Sequence, residues 1–312
     1  MARCFVTREI PGPALDRLRA GGHEVDVWDK RLPPEYDELC RRTGPAEGLL
    51  SLLTDRVDAE LIEGAPQLRA IANYAVGYDN VDVEAAAARG IAVGNTPDVL
   101  TEATADLAFA LLLAAARKLP QAVAEVADRD WLTWEPARHL GQEVHGATLG
   151  IVGLGRIGRA VAKRAEGFSM NVIDTGATAL DELLERSDFV SLHCPLTPDT
   201  RHLIDAQAFA RMRPTAILIN TARGPIVDQA ALVQALRDQT IAGAALDVTD
   251  PEPPPGDDPL LTAPNVIVVP HIGSATHTAR EKMSDLAVDN LLAALAGHPM
   301  PHPVELPTKT NP

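Results

Sequence analysis

Short apolar runs alternate with amphipathic segments along most of the chain. In the first hundred residues the apolar runs predict strands, and segments with apolar positions at helical spacing follow them. The predicted strands are 4–7, 48–53, 70–75 and 91–93, and the predicted helices are 14–20, 59–64 and 83–88. This alternation predicts a parallel sheet covered by helices, because parallel strands need a long crossover connection.

A second series of the same kind follows the turn sequence Asn95-Thr96-Pro97. Its predicted strands are 148–152, 170–173, 189–193, 216–220, 242–246 and 266–269, with helices at 157–168, 180–186 and 229–237. The last predicted helix, 278–296, has no strand after it, and we expect it to pack back on the first series. The fold class is therefore α/β, with two doubly wound parallel-sheet domains of the Rossmann-like or flavodoxin-like kind. We place one domain at 1–98 plus 287–312 and the other at 99–286.

The apolar pattern of residues 101–118 predicts one long helix between the two series of strands and helices. The segment is apolar on nearly every side, which implies burial on several sides. We expect an interface between domains or subunits to bury it.

Composition and charge narrow the classes of partner. The chain has 312 residues, enough for two domains, with 46% hydrophobic and 23% charged residues, as in ordinary folded proteins. Its formal net charge of −15 would repel nucleic-acid phosphates and anionic lipids, so we expect neither as a partner. The longest apolar run, 107–116, is shorter than the roughly 20 residues of a membrane-spanning helix.

The three cysteines, Cys4, Cys40 and Cys194, have no spacing that indicates zinc, and an odd number does not suit a disulfide framework. The first residues lack the apolar stretch of a signal peptide. We therefore expect a cytoplasmic protein without a bound metal.

The most specific local motif is a glycine-rich turn, Gly153-Leu-Gly155-Arg156-Ile157-Gly158, which leaves a predicted strand and opens a predicted helix. Gly153 permits the tight turn, Gly155 lets the backbone approach a pyrophosphate, and Gly158 allows close packing of helix and strand. N–H groups at the helix start then attract the phosphates. The alternative is a glycine turn with no ligand.

Asp174 follows Gly153 by 21 residues at the end of the next strand, where an acid binds the adenosine ribose in such folds. No Lys or Arg lies between residues 171 and 185, so a ribose 2′-phosphate would lack a nearby cation. Both observations favour NAD(H) over NADP(H). The alternative is that Asp174 only caps a turn.

Reactive side chains follow the other predicted strands of the second series: Arg223, Asp247 with Glu252 close behind, and His271. Ligands of open α/β sheets bind at the carboxyl ends of the strands. Arginine binds a carboxylate through two parallel hydrogen bonds, and histidine titrates near neutrality and can exchange a proton. A neighbouring carboxylate orients such a histidine. Each residue taken singly has an ordinary surface or structural explanation, but the set indicates a catalytic site.

With these residues the chain resembles the D-isomer-specific 2-hydroxyacid dehydrogenases, most of all the glyoxylate/hydroxypyruvate reductases. The resemblance extends almost from end to end. Besides the glycine turn, the motifs that carry it are Asn73-Tyr-Ala-Val-Gly-Tyr-Asp-Asn80, Asn95-Thr-Pro-Asp-Val-Leu-Thr-Glu-Ala-Thr104, Trp131-Leu-Thr-Trp134-Glu-Pro136, Asn220-Thr-Ala-Arg-Gly224, Leu246-Asp-Val-Thr-Asp-Pro-Glu-Pro253 and Pro270-His-Ile-Gly-Ser-Ala-Thr276.

The resemblance implies a role for each matching residue. It implies that Arg223 binds the substrate carboxylate and keto oxygen, that His271 is the acid/base, and that Glu252 is its hydrogen-bonded partner. Further implied substrate contacts are Val76 and Gly77 through their backbone, Ser274, and Trp134, which reaches the site of a neighbouring subunit in related dimers. Besides the glycine-turn residues and Asp174, the implied cofactor contacts are Thr104, Pro195, Thr221, Ala222, Asp247 and Gly273.

The family fold implies two domains with a cleft between them, and the expected activity is NAD(P)H-dependent reduction of glyoxylate or hydroxypyruvate to glycolate or D-glycerate by a homodimer. Other enzymes of the family, acting on D-3-phosphoglycerate, formate or phosphite, remain alternatives. So does a dinucleotide-sensing corepressor, although such proteins carry long tails and this chain ends at Pro312.

One departure from the family concerns the segment 173–180. Relatives usually carry a longer segment with basic residues here, whereas this chain joins the strand and the next helix almost directly. The departure affects the adenosine end of the cofactor site, the expected third strand and the choice between NAD and NADP, which it leaves open.

Overall fold

The computed structural model describes residues 1–304 and divides the chain into two compact units. One unit contains Met1–Leu100 and the chain from Ala275 onward, and the other contains Thr101–Ser274. The second boundary therefore lies earlier than the expected one at residue 287. It lies there because the last helix belongs entirely to the first unit, where it packs against that unit's sheet.

The first unit is a five-stranded parallel sheet with helices between its strands. Its elements are β1 (Arg3–Val6), α1 (Ala14–Ala20), β2 (Glu24–Val27), α2 (Tyr36–Thr43), β3 (Gly48–Leu52), α3 (Ala59–Glu63), β4 (Ala70–Tyr74), α4 (Val83–Ala88) and β5 (Ala92–Gly94), with the last helix of the chain, α11 (His277–Leu295). The order β2-β1-β3-β4-β5 is the flavodoxin-like doubly wound order. Helix α11 packs against β4 and α1.

Two elements of this unit were not predicted from the sequence. Strand β2 has four residues that alternate valine with acids, and it lies at the edge of the sheet, where it is only partly covered. Helix α2 buries only Leu39 and Thr43. Because both elements have little buried surface, their apolar pattern is weak.

The second unit is a six-stranded parallel sheet. Its elements are α5 (Thr101–Ala116), α6 (Leu119–Ala127), β6 (Thr148–Val152), α7 (Arg156–Glu166), β7 (Asn171–Asp174), α8 (Leu180–Arg186), β8 (Phe189–Leu192), α9 (Ala206–Arg211), β9 (Ile217–Asn220), α10 (Gln229–Arg237), β10 (Gly243–Leu246) and β11 (Val266–Val268), with short 3₁₀ turns at Gly224–Ile226 and Pro259–Thr262. The two parallel sheets confirm the predicted fold class, although α9 was not predicted.

The strand order β11-β10-β9-β8-β6-β7 reverses direction at β6, and this reversal is the switch point of a doubly wound sheet. A nucleotide-binding sheet of order 3-2-1-4-5-6 has a further strand outside its second one. Within residues 1–304 no strand lies outside β7, because the five residues 175–179 connect β7 directly to α8. The shortened segment has therefore removed the third strand of the usual order.

The predicted helix 101–118 is α5, which ends two residues earlier than predicted, and a second helix, α6, which was not predicted, begins directly after it. Helix α5 ends at Ala116, Lys118 adopts a left-handed backbone with φ of 51°, and α6 begins at Leu119. Pro120 explains the break, because proline is tolerated in the first turn of a helix and not in its interior.

Helix α5 packs against α7 and β9 and contributes Phe109 and Leu112 to the core of its own unit. An interface between domains or subunits is therefore not needed to explain why α5 is apolar on several sides. In residues 1–304 no single helix is long and apolar enough to cross a membrane, and only α5 and α6 taken together, with a bend of 66° between them, meet that length and composition.

Candidate active site

The glycine turn connects β6 to α7 at the switch point of the second sheet. Gly153 has a φ of 95°, and a Cβ added there would lie 2.6 Å from the Cys194 backbone nitrogen. A Cβ on Gly158 would lie 2.3 Å from the Gly153 carbonyl oxygen. A Cβ on Gly155, in contrast, would meet nothing within 4 Å. Two glycines therefore serve the packing of the turn, and the third borders open space at the start of α7.

Asp174 ends β7 and is half-buried. Its Oδ1 accepts a hydrogen bond from the Gly176 N–H at 2.7 Å, so Asp174 does cap its own turn. The Thr175 hydroxyl accepts from the Gly153 N–H at 3.1 Å and joins this turn to the glycine turn. Asp174 Oδ2 has no hydrogen-bond donor within residues 1–304, and the expected contact with a ribose stays a prediction.

The loop after β9 carries Arg223, and the buried Asn220 side chain shapes it. Asn220 Nδ2 donates to the Arg223 carbonyl at 2.8 Å, and Asn220 Oδ1 accepts from the Ala222 N–H at 3.0 Å. Gly224 ends this loop so close to Thr249 that an added Cβ would lie 1.9 Å from the Thr249 carbonyl oxygen. The position of Asn220, directly before the loop residues of its motif, is the sequence signal that could have identified this anchoring role.

Asp247 ends β10 and anchors the loop that carries His271. Its carboxylate accepts hydrogen bonds from the Ile272 N–H at 2.6 Å and the Gly273 N–H at 2.8 Å, and its backbone carbonyl accepts from the His271 N–H. Burial raises the pKa of the Asp247 carboxyl above its ordinary value, although these N–H groups oppose the rise. The implied contact of Asp247 with a nicotinamide stays a prediction.

His271 adopts a left-handed backbone with φ of 51°, which costs a non-glycine residue roughly 1–2 kcal/mol. The hydrogen bonds to Asp247 hold this conformation. Backbone strain of this kind is common at functional sites.

The imidazole of His271 bonds Glu252 through Nδ1, 2.5 Å from Oε1. The two side chains are 23% and 32% exposed, so the pair is open on one side to a ligand. A carboxylate bound to one ring nitrogen orients the ring and leaves Nε2 to exchange a proton with a substrate. The structure therefore brings together the His271 and Glu252 that the sequence analysis singled out.

A second histidine, His193, lies next to the glycine turn at the end of β8. Its Nε2 is 2.8 Å from the Ser191 hydroxyl, and burial lowers its pKa to about 4. A ring with this pKa is neutral near pH 7.

The remaining predicted residues occupy several places. Thr104 lies in the first turn of α5, where its hydroxyl donates to the Gly273 carbonyl at 3.2 Å. The predicted contacts Pro195, Ala222 and Ser274 follow strands of the second sheet, and Trp134 is 79% exposed in the segment between α6 and β6. Val76 and Gly77 belong to the first unit, directly beyond β4.

The residues around the glycine turn fit a dinucleotide. Thr221, at the end of β9, buries a hydroxyl oxygen that has no hydrogen-bond partner within residues 1–304, as expected of a group that meets a bound ligand. Gly155 leaves open space before the N-terminus of the eleven-residue helix α7, whose N–H groups attract phosphate. A doubly wound sheet that carries this turn and a His–Glu pair at the same carboxyl edge is the arrangement expected of a nicotinamide-dependent dehydrogenase.

Comparison with known proteins gives the family. Residues 109–273 match the model of the D-isomer specific 2-hydroxyacid dehydrogenase NAD-binding domain. A glyoxylate reductase of Korarchaeum cryptofilum is 49% identical over 96% of this chain and 95% of its own, and one of Thermococcus litoralis is 46% identical over 99% and 98%. The chain belongs to this family and is a D-2-hydroxyacid dehydrogenase.

Solved structures agree with this assignment. A crystal structure of a Thermus thermophilus protein is 50% identical, covers 97% of this chain and all of its own, and superposes with a TM-score of 0.92. The NADPH-dependent glyoxylate/hydroxypyruvate reductase of Sinorhizobium meliloti, in complex with citrate, is 36% identical, covers 97% and 98%, and has a TM-score of 0.84.

The glycine turn offers a matched pair of variants. Gly155→Ala places a methyl group in open space, so we expect an unchanged Tm and an NADH Kd raised about tenfold or more where the pyrophosphate must approach the backbone. Gly158→Ala meets the Gly153 carbonyl and should lower the free energy of unfolding by about 1–3 kcal/mol. Thermal unfolding and fluorescence titration with NADH measure both, and an unchanged NADH Kd in Gly155→Ala would contradict the assignment of the turn.

Proposed function

We propose that the chain reduces glyoxylate, and also hydroxypyruvate, to the corresponding 2-hydroxy acids. The observation that carries the proposal is the His271–Glu252 hydrogen bond at the edge of the sheet that bears the dinucleotide turn. The names of the relatives support the substrate: several are glyoxylate reductases at 44–49% identity, and a structural relative is a glyoxylate/hydroxypyruvate reductase.

A reduced nicotinamide cofactor, which the glycine turn 153–158 and Thr221 would hold, would supply the hydride for the keto or aldehyde carbon. His271, protonated and oriented by Glu252 at Nδ1, donates the Nε2 proton to the oxygen that becomes the hydroxyl. Arg223 binds the substrate carboxylate and stabilises the negative charge that develops on that oxygen.

His271→Gln should lower kcat by about 10²-fold or more, because general acid catalysis typically contributes this much, while NADH binding is retained. His277→Gln is the matched control, since His277 is an exposed histidine at the start of α11. Steady-state kinetics with glyoxylate and NADH measure both variants. Unchanged turnover in His271→Gln would exclude His271 as the proton donor.

We further propose that NADH is the preferred cofactor. The segment between β7 and α8 contains no Lys or Arg, and the first cation beyond it, Arg186, bonds Glu182 at 2.6 Å. Asp174 adds a negative charge where a 2′-phosphate would lie. The Sinorhizobium meliloti relative is NADPH-dependent, so the cofactor preference of this chain has to be argued from its own residues.

The charge of Asp174 is the testable part of this preference. We expect kcat/KM with NADH to exceed that with NADPH by about tenfold or more, because a like charge opposes the 2′-phosphate. Asp174→Asn keeps an oxygen that accepts from the Gly176 N–H and removes the negative charge. It should therefore bring the kcat/KM values for NADH and NADPH closer together. Equal rates of the wild-type enzyme with both cofactors would refute the preference.

We propose a homodimer formed through α6 and the segment that follows it. This region exposes apolar side chains, among them Val123 (67%), Trp131 (66%) and Trp134 (79%), and exposed apolar clusters mark interaction sites. Arg138 and His139 both bond Glu125 of α6, which ties the segment to the helix. In such a dimer Trp134 reaches the partner's active site. A cytoplasmic location remains a prediction from the cysteine content.

Val123→Asp places a charge in this apolar region and should convert the dimer to a monomer, because a buried unpaired charge is costly at an interface. Leu32→Asp is the control, since Leu32 is 75% exposed in the first unit. Light scattering after gel filtration measures the mass. A wild-type protein that elutes as a monomer would contradict the proposal.

A further inference from the structure

The loop after β4 presents two consecutive backbone N–H groups. Those of Val76 and Gly77 have no acceptor within residues 1–304, and both residues are half-buried. Their carbonyls, in contrast, are both hydrogen-bonded to asparagine side chains. The loop lies at the carboxyl end of a parallel strand, where ligands of such sheets bind. Successive free N–H groups at such a place suit an anion.

Asn95 binds the first of these carbonyls. Its Nδ2 donates to the Val76 carbonyl at 2.7 Å. Its own backbone is held at both ends, because its N–H donates to the His302 carbonyl at 3.1 Å and its carbonyl accepts from Asn290 Nδ2 at 2.9 Å. Asn290 is fully buried in α11. The last helix therefore sets the position from which Asn95 reaches the loop.

Asn73 binds the second carbonyl. It is fully buried, and its Nδ2 donates to the Gly77 carbonyl at 3.0 Å and to Asn80 Oδ1 at 3.0 Å. Its Oδ1 accepts from the Ser51 hydroxyl at 3.1 Å. Asn80 Nδ2 in turn donates to the Leu52 carbonyl at 3.0 Å, which connects the loop to the end of β3. Asn73 is thus bonded on both sides and cannot rotate without losing bonds.

We propose that Asn73 and Asn95 are positioning residues for the substrate carboxylate: their side-chain amides hold the carbonyls of Val76 and Gly77, so that the N–H groups of these two residues bind the carboxylate. A carbonyl turned toward an anion would repel it, whereas an N–H attracts it. The amides are uncharged, so they fix the loop at every pH and add no charge to an already acidic protein. The inference rests on the proposed function, which supplies the carboxylate.

The test separates the carboxylate from the reacting carbon. Glyoxylate and its methyl ester share the aldehyde, and only glyoxylate has the carboxylate. Asn95→Ala releases the Val76 carbonyl, so kcat/KM for glyoxylate should fall about tenfold or more, the effect of weakening hydrogen bonds to a charged group. The kcat/KM for the methyl ester and the KM for NADH should change by less than about twofold, since they involve no carboxylate contact.

Controls keep the result interpretable. Ile62→Val lowers the Tm of the same unit from a buried position of α3 outside the loop, and it should leave the ratio of the two substrates unchanged. If Asn95→Ala does not fold, Asn95→Ser replaces it, because the shorter hydroxyl side chain does not reach the Val76 carbonyl. Equal losses for glyoxylate and its ester, or no loss for either, would overturn the positioning role.

A failure of the proposed function gives a different result. In that case the wild-type enzyme reduces neither substrate, and calorimetric titration of malonate into the enzyme with bound NAD tests the inference alone. A Kd for malonate raised about tenfold or more in Asn95→Ala supports the role of Asn95. An unchanged Kd, or no malonate binding by the wild-type protein, overturns it.

Discussion

The active site depends first on the hydrogen bonds that the buried Asp247 carboxylate accepts from the backbone N–H groups of Ile272 and Gly273. Without them a buried carboxylate would lack partners, and the loop would lose what holds His271 in a left-handed backbone. That backbone turns the imidazole toward Glu252. The proton donor is therefore oriented from two sides, through its main chain by Asp247 and through its ring by Glu252.

The same arrangement recurs at other strand ends. Asn220 binds the backbone of the Arg223 loop, and Asn73 binds the backbone of the Gly77 loop. In each case a buried polar side chain holds the backbone of a loop that carries a candidate site residue. The same hydrogen bonds satisfy the polar atoms of the buried side chain. An acidic protein of net charge −15 can in this way present N–H groups to an anionic substrate with few cations.

The shortened segment after β7 changes the second sheet in a way that the sequence predicts only in part. From the sequence, the missing residues and the missing cations of 173–180 were evident, and they indicated that the adenosine site and the third strand were both affected. Only the sheet order showed that a whole strand is absent and that β7 has become the edge. Strand order depends on contacts between residues that are distant in sequence. A local pattern of apolar and polar positions carries no information about such contacts.

Local chemistry was therefore predictable from the sequence: the strands and helices with strong apolar patterns, the glycine turn, and Arg223, Glu252 and His271 at strand ends. Weakly buried elements such as β2 and α6 were missed. The tertiary structure alone decided which side chains meet. The contact of Glu252 with His271 and the bonds of Asn73 and Asn95 to the loop join residues that the fold, and not the spacing along the chain, brings within hydrogen-bonding distance.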